Sequence, residues 1–238
     1  ISSGLVHRPV LYQEILASLR PEGGGCYVDC TLGAGGHAWG LLSGSEPDGK
    51  LLGFDLDPQA VELARQKLQL FGERAVIVQA SYTQLTRYLA QLGWGGVQGI
   101  LLDLGVSSMQ LDTPERGFSF QEDAPLDMRF SPEGSLTAAD LINTLSEAEL
   151  VKILFEYGEE AQARQIVRMI LQHRPLATTR QLASLILNAV GTSKKGERKH
   201  PGKKRIHPAT KTFQALRIAV NQELEAVRLV LPQAIKDR

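Results

Sequence analysis

Cysteine is scarce in this sequence, which has only Cys26 and Cys30 among its 238 residues. Both fall in a short apolar run that we predict to be a β-strand, where residues four positions apart lie about 13 Å from each other. A disulfide needs Cα atoms within roughly 7 Å, so these two cysteines cannot pair. No second pair completes a zinc site, so we expect no metal and two free thiols, as is usual in a reducing compartment.

Long apolar runs are also missing from the sequence. No stretch approaches the roughly 20 apolar residues that a membrane-spanning helix needs. The chain begins at Ile1 without the basic start and apolar core of a secretory signal. Its 43% hydrophobic and 22% charged residues are typical of a globular protein, and we expect no membrane partner.

Net charge is absent overall, since 26 basic residues balance 26 acidic ones. The balance conceals one basic segment between Gly191 and Pro208, which contains a single acidic residue, Glu197. Its cations are Lys194, Lys195, Arg198, Lys199, Lys203, Lys204 and Arg205. Such a block is typical either of an arm that binds an anionic partner, usually phosphate, or of a solvated loop.

Strand and helix patterns alternate in the first part of the chain. The predicted strands are Cys26–Cys30, Leu51–Asp55, Ala75–Gln79 and Ile100–Asp103, and the predicted helices between them are Gly36–Leu42, Pro58–Phe71 and Thr83–Leu92. Asp57 is the expected N-cap of the second helix, with proline at its first position. This alternation indicates an α/β fold with a parallel, doubly wound sheet.

The pattern changes after the fourth strand. Asp112 to Phe130 is irregular and rich in turn-forming residues, and only helical patterns follow it. Capping boxes at Ser146–Glu149 and Thr178–Gln181 predict the starts of two helices. A single long helix is predicted from Pro208, because apolar residues continue along one face of it. We therefore expect a helical lobe over 112–207, inserted into an α/β domain made of 1–111 and 208–238.

A glycine-rich turn, Gly33-Ala34-Gly35-Gly36-His37, joins the first predicted strand to its helix. Glycine lets the backbone turn sharply and approach a ligand closely, and a helix N-terminus offers N–H groups to it. Dinucleotide-binding proteins use the same arrangement, usually as G-x-G-x-x-G, from which Ala38 departs. His37 is either a polar contact to the ligand or an ordinary surface residue.

Asp55 ends the second predicted strand, 20 residues beyond Gly35. A carboxylate in this place can accept both hydroxyls of an adenosine ribose. Its alternative role as a helix cap is already filled by Asp57. Tyr82 follows the third strand, where its ring packs either on an adenine or on the protein itself. NAD and S-adenosylmethionine both carry adenosine, so these residues do not separate the two.

More specific motifs follow the fourth strand. They are Leu101-Leu102-Asp103-Leu104-Gly105-Val106-Ser107-Ser108-Met109-Gln110-Leu111-Asp112, Glu115-Arg116-Gly117-Phe118-Ser119-Phe120 and Pro125-Leu126-Asp127-Met128-Arg129. With the opening motif from His7 to Glu14, the loop from Asp29 to His37 and the segment from Ile206 to Ile218, they closely resemble the RsmH (MraW) family. Members of that family are bacterial 16S ribosomal RNA methyltransferases that modify N4 of a decoding-site cytidine.

The resemblance implies a cytoplasmic class I methyltransferase with a helical lobe after strand four and S-adenosylmethionine as cofactor. The cofactor contacts expected on this basis are Gly33, Gly35, Gly36, His37, Asp55, Tyr82, Asp103 and Gln110. The implied partner is 16S rRNA within the small ribosomal subunit. The basic segment then becomes an RNA contact, through Lys194, Lys195, Lys203, Lys204 and Arg205.

Some positions depart from the family pattern. Tyr82 stands where phenylalanine is usual, and Met109 where proline is common. The family also continues past the last helix with a glycine-rich turn, more strands and a His-Ser-Leu-Glu-Asp motif. None of these is present here, so we expect a sheet without its C-terminal strands.

Several roles stay open at this point. Asp103 is the candidate catalytic residue: it either accepts the proton of the cytosine amine or only contacts the cofactor. Ser107 and Ser108 either contact the base or cap a turn. A nucleotide-dependent oxidoreductase would not explain the motifs from Asp103 to Arg129. A DNA amino-methyltransferase would carry a Pro-Pro-aromatic motif in place of Leu104-Gly105-Val106, and a non-catalytic RNA-binding module is a further alternative.

Overall fold

A computed structural model describes residues 9–191 and 207–237 of the chain. The chain divides into two compact units, of which the first comprises Ile1–Gly105 with Leu224–Arg238 and the second comprises Val106–Glu223. Within the described residues, no helix has both the length and the apolar character needed to cross a bilayer. The basic residues Lys194, Lys195, Lys203, Lys204 and Arg205 lie outside the described residues.

A parallel sheet forms the centre of the first unit. Its strands are β1 (Cys26–Asp29), β2 (Lys50–Asp55), β3 (Ala75–Gln79) and β4 (Gly99–Leu101), in the order β3-β2-β1-β4. The predicted α/β fold with a parallel sheet is therefore confirmed. Because β1 pairs with both β2 and β4, the chain changes direction across the sheet at the carboxyl end of β1. Ligands of open α/β sheets bind at such a point.

Helices cover both faces of this sheet. They include α1 (Tyr12–Leu19), α2 (Gly36–Gly44), α3 (Pro58–Leu68) and α4 (Leu85–Leu92). The last helix, Glu223–Lys236, adds Val230 to the same cluster as Leu85. Successive strand side chains point to opposite faces, so Leu51 joins the apolar cluster containing Leu41 and Leu68, whereas Leu52 joins the one containing Leu85. Both faces are buried, as expected when helices cross between parallel strands.

The start of α3 agrees with the sequence prediction, but its end does not. The Asp57 side chain accepts a 3.0 Å hydrogen bond from Gln59 N with proline at the next position, which confirms the predicted cap. The helix was expected to continue to Phe71, but it ends at Leu68 and a 3₁₀ segment covers Gln69–Arg74. Gly72 interrupts the helical geometry there, with φ +55.

The second unit contains helices and irregular segments around its own core. Its helices are α5 (Ser108–Leu111), α6 (Ala138–Thr144), α7 (Glu147–Gly158), α8 (Ala163–His173), α9 (Thr179–Gly191) and α10 (Ala209–Val220). The capping box at Ser146–Glu149 is confirmed, and so is the one at Thr178–Gln181. The core is lined by Leu150, Ile166, Leu182, Leu216 and their neighbours.

The single long helix predicted from Pro208 is wrong, because the chain breaks after α10 and restarts as α11 (Glu223–Lys236). The break has a physical cause in the Asn221 side chain, which donates to Met128 O and accepts from Phe130 N, both at 2.7 Å. Gln222 then takes φ +50. Helix α10 belongs to the second unit, which ends at Glu223; the domain boundaries inferred from sequence at 111 and 207 stay predictions.

Candidate cofactor site

Left-handed backbone shapes the turn between β1 and α2. Gly33 has φ +51 and Gly35 has φ +75, a region that side chains disfavour. A Cβ at Gly33 would meet nothing within 4 Å, so the backbone borders open space there. Gly35 has no side chain to cap α2, whose first N–H groups therefore remain available to a ligand.

Asp55 is fixed to this turn through both of its oxygens. Oδ2 accepts a 2.8 Å hydrogen bond from Gly33 N, and Oδ1 accepts a 2.9 Å bond from Asp57 N. Burial raises the pKa of Asp55, while these N–H donors act in the opposite direction. The side chain is part-exposed at the carboxyl end of β2, where its remaining lone pairs can accept ribose hydroxyls.

His37 lies in the first turn of α2 and is only 6% exposed. Its Nε2 is 3.6 Å from Oδ2 of Asp103, and its ring stacks on Tyr12 with centroids 5.9 Å apart. Neither ring nitrogen has a hydrogen-bond partner in the described part of the chain. Burial lowers the pKa of His37 more than Asp103 raises it, so the ring is neutral at pH 7 and keeps polar capacity for a ligand.

Asp103 lies beyond the end of β4, which stops at Leu101 rather than continuing to Asp103 as predicted. Its backbone N–H donates a 2.7 Å hydrogen bond to the hydroxyl of Thr31. Its side chain is 49% exposed, in contrast with the buried His37. The carboxylate is therefore held next to the glycine turn yet is open to a ligand.

Asp29 and Thr31 belong to the site although sequence reasoning did not select them. Asp29 ends β1 and is 1% exposed. Its Oδ1 accepts a 3.1 Å hydrogen bond from Thr31 N, while Oδ2 has no partner among residues 9–191 and 207–237. Burial, with the nearby carboxylates of Asp55 and Asp103, raises the pKa of Asp29 to about 7. An acidic residue closing an apolar strand is the signal that could have identified it.

The opening motif packs against α2, which the sequence also did not indicate. A Cβ at Gly36 would lie 2.4 Å from Cγ of Pro9, and one at Gly40 would lie 2.5 Å from the Tyr12 hydroxyl. These glycines therefore permit close approach of the N-terminal segment. That approach is what buries His37 under Tyr12.

Tyr82 and Gln110 are the two remaining residues expected to contact the cofactor. Tyr82 begins a 3₁₀ turn, Tyr82–Gln84, after β3, and its half-buried ring packs on the core cluster of Phe54 and Leu85. Gln110 lies in the second unit, where its Oε1 accepts from Ser107 N at 3.1 Å and the Ser107 hydroxyl accepts from Gln110 N. Ser107 is therefore a helix cap, one of its two expected roles.

The arrangement in the first unit fits a cationic ligand that carries an adenosine. Open space borders Gly33, the start of α2 lacks a side-chain cap, and Asp55 offers acceptor lone pairs. Buried polar atoms of Asp29 and His37 have no partner in the described ranges. The surplus of carboxylates favours a positive group, and S-adenosylmethionine has a sulfonium in addition to its ribose.

Known proteins resemble the chain along almost its whole length. The MraW methylase family matches residues 4–237. "Ribosomal RNA small subunit methyltransferase H" of Geobacter sulfurreducens is 52% identical over 232 residues, which cover 96% of this chain and 72% of that protein. The protein of the same name from Dehalococcoides mccartyi is 50% identical over 228 residues, covering 96% of this chain and 63% of that protein.

Proposed function

This chain belongs to the MraW methylase family, and we propose that it methylates N4 of a decoding-site cytidine in 16S ribosomal RNA, with S-adenosylmethionine as the methyl donor. The observation that carries the proposal is the identity of 52% with a ribosomal RNA small subunit methyltransferase across 96% of the chain. The substrate is the RNA of the small ribosomal subunit, and the site of action is the cytoplasm.

Residues of the first unit hold the donor. The backbone from Gly33 to His37 binds its methionine end, Asp55 accepts the ribose hydroxyls, and the part of the Tyr82 ring that the core leaves exposed packs on the adenine. When bound, S-adenosylmethionine supplies a methyl group already activated by the positive sulfur. The protein's task is to exclude water and align the acceptor for in-line attack.

The acceptor amine needs help because its lone pair is delocalised into the cytosine ring. A carboxylate that accepts a hydrogen bond from this amine localises the lone pair and can take the proton. Asp103 is open to a ligand and lies 3.6 Å from His37. We assign it first to the cofactor's methionine end and, as a second candidate role, to the amine proton.

The second unit and the basic segment are assigned to the RNA. A cytosine must leave its stack before its amine can reach the donor, so the RNA backbone has to be held while the base is presented. Lys194, Lys195, Lys203, Lys204 and Arg205 provide cations for the phosphates. Gln110 remains a predicted cofactor contact, which rests on the family resemblance alone.

Transfer of a labelled methyl group tests the proposal. Small ribosomal subunits that lack the modification are incubated with the protein and methyl-labelled S-adenosylmethionine, in parallel with DNA and with protein substrates. We expect label in 16S rRNA only, and calorimetric titration should show binding of S-adenosylmethionine but not of NADH. Label in DNA would favour an amino-methyltransferase of DNA, and RNA binding without transfer would favour a non-catalytic module.

A further inference from the structure

Asp29 combines complete burial with an incomplete set of hydrogen bonds. It lies opposite Gly53 of β2 and Leu101 of β4, so it ends the central strand of the sheet. One oxygen accepts from Thr31 N, and the other has no partner in the part of the chain that the structure describes. A buried carboxylate with half of its acceptor capacity unused is costly unless a positive charge approaches or the group holds a proton.

The surroundings of Asp29 supply negative charge rather than positive charge. Asp55 lies two residues beyond Gly53, and Asp103 lies two residues beyond Leu101; both raise the pKa of Asp29. The titratable groups near this carboxyl end of the sheet are Asp55, Asp57, Asp103, His37, Tyr12 and the buried thiol of Cys30. Cys26, Tyr27 and Lys50 belong to the amino-terminal halves of β1 and β2, and Glu14 is an exposed residue of α1. Burial lowers the pKa of His37, so its ring does not supply a positive charge next to Asp29, and the Cys30 thiol, whose pKa burial raises, has no cationic form.

Thr31 couples Asp29 to the open edge of the site. Its N–H donates to Oδ1 of Asp29, and its hydroxyl accepts from Asp103 N at 2.7 Å. Asp103 in turn lies 3.6 Å from His37. A charge placed next to the glycine turn is therefore close to a buried group that can exist in two protonation states.

We propose that Asp29 is a specificity-determining residue that carries a proton when the site holds no cation, and releases it to solvent when S-adenosylmethionine binds. The O–H bond of the carboxylic acid breaks, and the resulting carboxylate balances the positive charge of the sulfonium. After methyl transfer the sulfur is a neutral thioether, so Asp29 takes a proton back from solvent and the product is held less tightly. This inference rests on the proposed use of S-adenosylmethionine.

The size of the effect follows from the titration of Asp29. With a pKa of about 7, roughly half of the Asp29 carboxyl groups are protonated at pH 7 in the ligand-free protein, so binding should release about half a proton. Only the deprotonated fraction is competent to bind the cation tightly. The affinity for S-adenosylmethionine, relative to that for the thioether product, should therefore rise about tenfold between pH 6 and pH 8.

Calorimetric titration in buffers with different heats of ionisation measures the proton release directly. S-adenosylmethionine and S-adenosylhomocysteine are each titrated at pH 6, 7 and 8 into the full wild-type chain, Asp29→Asn and Glu73→Gln. Glu73 is an exposed carboxylate beside the amino end of β3, at the opposite edge of the sheet, and serves as the matched control. We expect Glu73→Gln to behave as wild type and Asp29→Asn to lose both the proton release and the pH-dependent preference.

The ligands can themselves gain or lose protons, but this contribution is the same for all three proteins. A difference in proton release between the proteins therefore comes from the substituted residue. Equal proton release by wild type and Asp29→Asn would overturn the inference while leaving the proposed function intact. Absence of S-adenosylmethionine binding to the wild type would overturn the proposed function, and this inference with it.

A second readout needs no variant that might fail to fold. Carbon-13 NMR of wild-type protein labelled at the aspartate carboxyls should show one resonance that titrates near pH 7. When S-adenosylmethionine is added, this carboxyl should no longer titrate near pH 7, whereas addition of the product should leave its titration unchanged. If no aspartate titrates near pH 7, the inference is wrong.

Discussion

The backbone N–H of Gly33 donates a 2.8 Å hydrogen bond to Oδ2 of Asp55, which ties the glycine turn to the carboxyl end of the neighbouring strand. The other Asp55 oxygen is held by Asp57 N at 2.9 Å, so the carboxylate has one orientation. The two strand ends that are expected to hold the methionine and the ribose of the donor are thus positioned by a single side chain. Replacing Asp55 should therefore weaken the binding of both the methionine end and the ribose of the donor.

Asp55→Asn should weaken binding of S-adenosylmethionine by roughly 10- to 100-fold, the effect of losing hydrogen bonds to a charged group. The amide places a donor opposite one of two N–H donors, so either Gly33 or Asp57 loses its acceptor. Titration calorimetry measures the change, with Glu73→Gln as the control. Unchanged affinity in Asp55→Asn would remove this residue from the cofactor site.

Gly33→Ala should cost about 1 kcal/mol of unfolding free energy, because alanine is strained at φ +51 although its Cβ meets nothing within 4 Å. Gly95→Ala is the matched control, since a Cβ there also meets nothing and no left-handed backbone is involved. Urea denaturation of both variants should show a loss only for Gly33→Ala. Equal stability of the two would contradict the backbone requirement.

Asp29 should make the stability of the ligand-free protein depend on pH. Its folded pKa of about 7 lies above the ordinary 3.8, so the stabilisation is complete below about pH 4 and is lost as pH rises through 7. The unfolding free energy of Asp29→Asn relative to wild type should therefore increase by about 2 kcal/mol between pH 5.5 and pH 8. Urea titrations at the two pH values test this, and a constant difference between the proteins would refute it.

Asn221→Ala should destabilise the second unit by about 2 kcal/mol, because it leaves Phe130 N and Met128 O without their side-chain partner. Gln214→Ala, an exposed position on α10, is the control and should change stability little. Urea denaturation monitored by circular dichroism compares the two. A loss of similar size in both variants would show that these hydrogen bonds are not the cause.

Replacing Lys194, Lys195, Lys203 and Lys204 with glutamine should weaken RNA binding and leave S-adenosylmethionine binding unchanged. If each lysine contacts one phosphate of single-stranded RNA, the slope of log affinity against log salt concentration should fall by about 3. Filter binding over a range of salt concentrations measures the slope. An unchanged RNA affinity would mean that these lysines do not contact the RNA.

The sheet and the glycine turn were predictable because their signals are local. The apolar runs predicted as Cys26–Cys30 and Leu51–Asp55 lie within one residue of the observed β1 and β2. Glycines at 33 and 35 permit the left-handed backbone of the turn. The short helix α1 was missed because its N-cap is Leu11 with φ +52 and no capping side chain precedes it. The sequence of α1 therefore contains no capping signal that would predict where the helix begins.

Features that depend on distant contacts were not predictable. Apolar periodicity runs across Asn221, so the break between α10 and α11 appears only when Asn221 meets Met128 and Phe130, about 90 positions away in the chain. The state of Asp29 likewise depends on three strand ends meeting in space. The sequence shows that residue 29 is acidic. It does not show that one oxygen of Asp29 is without a hydrogen-bond partner among the described residues.

Nucleoside analysis of the methylated RNA determines whether the chain methylates N4 of a decoding-site cytidine. Small ribosomal subunits lacking the modification are treated with the protein and methyl-labelled S-adenosylmethionine, and the 16S rRNA is then digested and analysed by mass spectrometry. We expect one labelled N4-methylcytidine, located at the decoding site. A label on a carbon atom, on another nucleoside, or at a cytidine outside the decoding site would contradict it.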